Sequence, residues 1–150
     1  MKIMTPLLFM ACMTAPALQA QAAIQCNTAS EPEIAALFER WNTSLQTGNA
    51  QKVAENYAAD AVLLPTASSQ PRLDNAGRVN YFEYFLKKQP VGRIDTRTIR
   101  IGCNEAVDTG TYTFTFADKS TIAARYTFTY ERFDNQWLIT SHHSSATPTP

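Results

Sequence analysis

Two adjacent histidines, His142 and His143, stand near the C-terminus in "WLITSHHSSATPTP", and the chain has no others. Histidine ligates metals and moves protons near neutral pH. A metal site would need both rings on one ion and a third ligand, with Asp74 and Asp134 as the carboxylates on offer. Neighbours on a strand point to opposite faces, so the pair cannot close on one ion without a bulge, and no metal is expected. Proton transfer would need one histidine in an apolar pocket beside a tyrosine or carboxylate, for which Tyr57, Tyr81 and Asp74 are available. No complete catalytic constellation emerges from these residues. The plainer reading has one histidine hydrogen-bonded in a pocket wall and the other facing solvent or a second subunit.

Aromatic residues supply the other candidate surface. Tyr112 and Phe114 in one segment and Tyr126 and Phe128 in the next recur at two-residue spacing. Such a stripe lines a core or a pocket next to one. Cys26 and Cys103 remain once the first segment is set aside, and two cysteines in an exported chain predict a disulfide. "Asn42-Thr43-Ser44" matches a glycosylation sequon, but it falls inside a helical pattern and is discounted.

The elements that must position these residues follow from periodicity. In "SEPEIAALFERWNTSLQTGN", Ser30 is placed to cap a helix and Ile34, Leu37, Phe38, Trp41 and Leu45 form its apolar face, ending at Gly48-Asn49. "AQKVAENYAAD" predicts a short second helix with Val53, Ala54 and Tyr57 inward, and "AVLLP" a short buried strand closed by Pro65. A polar loop leads to a third helix capped by Asp74 and stopped by Pro90. After Pro90 the period becomes two, and four long antiparallel strands are expected, with "ADKS" and "FDNQ" as hairpin turns. Helices followed by a meander define an α+β domain with helices on one face of a curved sheet.

With 150 residues, 45% hydrophobic and 17% charged, the chain suits one domain with one core. Net charge is zero, so neither nucleic acid nor an anionic membrane is expected as a partner. Residues 1–22 carry Lys2, an apolar stretch and small residues ending in Ala20-Gln21-Ala22, the pattern of a secretory signal peptide. The mature protein would be periplasmic or secreted, and free of the membrane. Acylation at Cys12 is the less favoured alternative, because Phe9 fits that motif poorly. Residues 23–29 read as an N-terminal extension, 30–146 as the domain and 147–150 as a tail.

The order helix, helix, strand, helix, meander resembles the cone-shaped nuclear transport factor 2-like, or SnoaL-like, fold. "NAQKVAENYAADAVLLPTAS" is similar to that group's passage from second helix to first strand. "ARYTFTYERFDNQWLITSHHSSATP" resembles the last hairpin of the association domain of calcium/calmodulin-dependent protein kinase II. The likeness runs from about Ser30 to Pro148 and includes no kinase domain. It implies a homo-oligomer, a homodimer or larger ring, with an internal pocket for a small molecule. Fold alone does not select a function. A SnoaL-like enzyme of isomerase, cyclase or dehydratase type, or a purely structural hub, is the alternative, and no cofactor is expected. In the kinase association domains an arginine follows the histidine of the final His-x-Ser stretch and helps line an anion-friendly pocket; here Ser144 stands there, with Arg72, Arg97, Arg100 and Arg125 as possible substitutes.

By strict alternation Leu138, Thr140, His142 and Ser144 share one face, and Trp137, Ile139, Ser141 and His143 the other. The resemblance turns the first set toward the cone. The expected pocket lining is then His142, Tyr57, Tyr81, Tyr112, Phe114, Tyr126 and Phe128, with Arg72 near the mouth. Trp137, Ile139, His143 and Arg125 would face a second subunit.

Overall fold

In the computed structural model, Cys26 and residues 28–148 are described. The proposed signal peptide, its cleavage site and Cys12 lie outside them. The elements are α1 (Glu31–Leu45), α2 (Ala50–Ala54), β1 (Tyr57–Leu64), α3 (Asn75–Phe85), β2 (Val91–Ile101), β3 (Glu105–Thr115), β4 (Thr121–Phe133) and β5 (Gln136–Ala146). A 3-10 turn, Leu86–Lys88, extends α3. The five strands form one sheet in the order β1-β5-β4-β3-β2, antiparallel except for the parallel pair β1 and β5.

The N-terminus of α1 is fixed by its sequence. The Ser30 N–H and hydroxyl both donate to the Glu33 carboxylate, at 2.8 and 2.7 Å. Those two bonds hold the Glu33 carboxyl below its ordinary range. Ile34, Phe38, Trp41 and Leu45 fall on one side of the helix and are almost wholly buried against the sheet. Burial of each is worth about 1.5–3 kcal/mol. Asn42 is buried as well: its amide donates to the Gly92 carbonyl at 2.9 Å and accepts the Gly92 N–H at 2.8 Å. The apparent sequon is thus a clamp between α1 and β2.

The second helix is shorter than its pattern predicts. It ends at Ala54, and residues expected to continue it, Tyr57 to Asp60, belong to β1. The Asn56 amide takes the helix-end carbonyls of Lys52 and Val53, while its own carbonyl accepts the Ile139 N–H at 2.9 Å. Pairing with β5 therefore overrides local helix propensity at Tyr57.

α3 is anchored by a residue that the sequence did not single out. Arg78 is buried and donates to the carbonyls of Ala61, Ala58 and Ala59 at 2.6, 2.9 and 3.0 Å. These bonds tie the helix to β1, and burial depresses the guanidinium pKa.

Two bulges break the two-residue alternation. In β2, Ile94 pairs with Tyr112 and Thr96 with Thr111, leaving Asp95 as the extra residue. In β5, Ile139 pairs with Tyr130 and Ser141 with Thr129, leaving Thr140 extra. An extra residue moves the following side chains to the other face. Beside the first bulge the strands approach so closely that a Cβ on Gly110 would overlap the Thr96 carbonyl. The tail is held one residue beyond β5, where the Thr147 N–H donates to the Ala123 carbonyl at 2.9 Å. Cys26 and Cys103 form a disulfide that ties the N-terminal segment to the β2–β3 turn.

Candidate functional site

The concave face of the sheet and α3 enclose a cavity of about 330 Å³. That is near the lower end of the range for small-molecule sites. Phe82 and Phe85 from α3 and Phe114 and Phe116 from β3 supply apolar walls, Trp41 reaches in from α1, and the β1–α3 loop supplies Thr66, Ser68 and Arg72. Phe85 stands edge-on to both Phe114 and Phe116, with ring centres 5.4 and 6.2 Å apart.

One chain of hydrogen bonds crosses the inner wall. Trp41 Nε1 donates to the Tyr57 hydroxyl at 3.0 Å, and that hydroxyl lies 2.9 Å from His142 Nδ1. His142 Nε2 lies 3.4 Å from the Tyr112 hydroxyl, which donates to Ser144 Oγ at 2.6 Å. Ser144 Oγ in turn bonds Thr66 Oγ1. The polarity of this chain is fixed at its start. An indole N–H only donates, so Tyr57 accepts from Trp41 and gives its own hydrogen to Nδ1; the reverse tautomer would leave a buried hydroxyl hydrogen without an acceptor. His142 is therefore the Nε2–H tautomer, donating toward Tyr112.

Burial, reinforced by the neighbouring His143, pushes the His142 pKa down to about 3. The ring stacks on Phe128 with centres 4.0 Å apart and meets Trp41 edge-on at 5.3 Å. An apolar, aromatic cage with no carboxylate on either nitrogen disfavours imidazolium. Burial likewise raises Tyr57 and Tyr112 above the ordinary phenol range. The chain is thus neutral from end to end at physiological pH.

Of the expected pocket residues, His142, Tyr81, Tyr112, Phe114 and Arg72 lie on the cavity wall. Three do not. Tyr57 sits behind His142 as its hydrogen-bond partner. Phe128 is core beneath the imidazole. Tyr126 turns away and donates to the buried Asp108 carboxylate at 2.9 Å. Asp108 also pairs with Arg97 at 3.2 Å, a pairing allowed because the bulge at Asp95 turns Arg97 inward.

Two of the expected interface residues need correction as well. Trp137 and Ile139 are buried in the core, not on the outer face. The bulge at Thr140 is the reason: it puts them on the same side as His142 and Ser144, which strict alternation forbids. His143 and Arg125 are exposed, with Arg125 paired to Ser145 and His143 to Thr127 across the β4–β5 ladder. Of the other substitute arginines, Arg100 is exposed. Thr66 and Ser68 were missed because nothing local separates a pocket hydroxyl from a loop hydroxyl.

Helices laid over a strongly curved five-stranded sheet, with a cavity between them, define a cone-shaped nuclear transport factor 2-like domain. Solved structures agree: a nuclear transport factor 2-like protein of unknown function from Pseudomonas putida matches with TM-score 0.69 at 20% identity, over 78% of this chain and 86% of that one. A nuclear transport factor 2-like protein with a cystatin-like fold from Novosphingobium aromaticivorans matches with TM-score 0.67 at 11% identity, over 79% and 82%.

Within that class the family is specific. The profile of the calcium/calmodulin dependent protein kinase II association domain matches residues 30–148, and the chain belongs to that family. A Xanthomonas campestris structure assigned to the same association domain is 48% identical, with TM-score 0.76, over 85% of this chain and 99% of that one. Among curated proteins none matches the chain.

Proposed function

We propose that this protein is an exported, homo-oligomeric association-domain protein that holds a small molecule in its cone. The observation that carries this is the wall of the cavity: aromatic and closed on one side, with a hydrogen-bond chain, directed as far as Ser144, reaching its surface at Ser144 and Thr66. A preformed apolar pocket with a few convergent polar groups is the usual form of a ligand site.

Binding is favoured over catalysis by the state of His142. A general base works best with a pKa near the operating pH, and this imidazole is held far below it with both nitrogens engaged. Among the described residues no aspartate or glutamate lines the cavity. Proton transfer by a SnoaL-like enzyme would lack its base here.

Assembly is supported by the outer face of the sheet. Threonine hydroxyls bond one another across it, Thr109 with Thr127 at 3.0 Å and Thr129 with Thr140 at 2.9 Å. With Arg125 and His143 exposed beside them, these half-exposed threonines offer a surface on which a second copy can pack. Export is supported by the Cys26–Cys103 disulfide, since such bonds persist in oxidising compartments. Among the described residues no helix is long and apolar enough to cross a membrane.

Native mass spectrometry of the exported protein tests both halves of this reading. An oligomer carrying extra small-molecule mass is the expected result; a bare monomer would refute it.

A further inference from the structure

Arg97, Asp108, Tyr126 and Tyr130 form a polar cluster on the inner face of the sheet, beneath α1 and apart from the residues of the cavity wall. Asp108 is wholly buried and Tyr130 nearly so. The Tyr126 hydroxyl donates to Asp108 Oδ1 at 2.9 Å, and the Arg97 Nε–H donates to the same oxygen at 3.2 Å. Nε is equally far from Oδ2 but makes no hydrogen bond to it. Three buried atoms of the cluster therefore have no partner among the described residues: Asp108 Oδ2, Arg97 Nη2 and the Tyr130 hydroxyl. Buried polar atoms are nearly always paired, with protein or with ordered water.

Strand register brings these atoms together. Asp108 pairs across the sheet with Phe128, and Tyr126 and Tyr130 lie two residues to either side of Phe128. Both tyrosines are thus diagonal neighbours of Asp108, within reach of a long side chain. Burial raises the Tyr130 phenol well above its ordinary range, and Asp108 and Arg97 act on it with opposite signs, so the hydroxyl feels both charges. The Arg97 guanidinium stands 5.7 Å over the Phe38 ring and its side chain is 22% exposed, so solvent reaches the cluster along the seam between α1 and β2. The groups also define what fits. Arg97 repels a cation and Asp108 an anion, and the pair as a whole is neutral. Oδ2 needs a donor, Nη2 needs an acceptor, and the phenol can serve as either. A small neutral molecule that both donates and accepts meets all three needs.

We propose that a resident water bridge joins Asp108 Oδ2, Arg97 Nη2 and the Tyr130 hydroxyl, making the α1 side of the cone a hydrated polar site separate from the ligand cavity. Water there donates to Oδ2 and accepts from Nη2, and three partners are the usual number for a buried water. Tyr112 lines the cavity and packs on Tyr126 with ring centres 4.9 Å apart, so the two sites share one wall. Arg97 belongs to the hydrated site and is not a ligand residue of the cavity. This holds whether or not the cavity takes a small molecule.

A crystal structure of the wild-type protein grown with bromide tests it. The expected result is a solvent peak within about 3.2 Å of both Asp108 Oδ2 and Arg97 Nη2, bonded onward to the Tyr130 hydroxyl and without the anomalous signal of bromide. A Tyr130 hydroxyl that donates straight to Oδ2, with no peak beside it, overturns the proposal. So does bromide at that place, which marks an ion site. In solution, water magnetic relaxation dispersion counts waters held for longer than the protein takes to tumble. Arg97→Met and Asp108→Leu together remove the pair without leaving a lone buried charge, a replacement that folds often tolerate. The double variant should hold at least one long-lived water fewer than the wild type while still unfolding cooperatively. An equal count in the folded variant overturns the proposal, and if the variant does not fold the wild-type crystal structure decides.

Discussion

The buried histidine makes acid a specific threat to this fold. In the native protein His142 stays neutral down to a pKa of about 3, whereas in the unfolded chain it takes up a proton near 6.5. Below about pH 6.5 the unfolded state therefore binds more protons, and stability falls by roughly 1.4 kcal/mol per pH unit until the native ring also protonates. The contribution is fully present above the unfolded pKa and is lost as pH drops toward the folded one. Between about pH 7 and about pH 4.5 the loss from this residue alone comes to about 2–3 kcal/mol, a large part of the stability of a typical domain. His142→Gln isolates it. Glutamine keeps an acceptor for Tyr57 and a donor for Tyr112 but does not titrate. Urea unfolding of both proteins at the two pH values gives four free energies. The wild type should lose about 2–3 kcal/mol more than the variant on acidification. Contributions from Glu33 and Asp118, whose carboxyls hydrogen bonds hold low, cancel in that difference. Equal pH dependence in the two proteins would refute the buried neutral imidazole. If the variant fails to fold, histidine NMR on the wild type decides: the His142 ring signals should not move between about pH 8 and about pH 4.5.

Two further outcomes concern the fold. Removing the disulfide with Cys26→Ser and Cys103→Ser together frees a loop of sequence separation 77, which should cost about 4 kcal/mol in urea melts with function of the folded protein retained. Arg78→Met leaves the carbonyls of Ala58, Ala59 and Ala61 without their donor; a loss of about 3 kcal/mol or more is expected by thermal or urea unfolding, and a change under 1 kcal/mol would show that water replaces the guanidinium freely.

What could be read from the chain divides along a physical line. The α1 face and the stripes of β3 and β4 were legible because each repeats a local period, 3.6 or two, over many residues. The disulfide was legible from the cysteine count together with the expectation of export. The facing of Trp137 and Ile139 was not, because a bulge at Thr140 inserts one residue without any glycine or proline to announce it. The same holds for Arg97, turned inward by the extra Asp95. Tyr57 was misplaced for a different reason: its helical neighbourhood yields to a parallel pairing with Ile139, a partner far along the chain. The site itself was half visible. His142 and Arg72 stood out by type, but the run Trp41, Tyr57, His142, Tyr112, Ser144, Thr66 joins four elements and a loop, and only the folded chain brings it together.

The central claim is that the cone is an occupied ligand site in an assembled protein. Its most direct test is to purify the protein without denaturing it and weigh it twice, once under native and once under denaturing conditions. A native mass equal to a whole number of chains, two or more, plus one small molecule per cone that is released on denaturation is the expected result. A native mass equal to one bare chain, with nothing released, would contradict it.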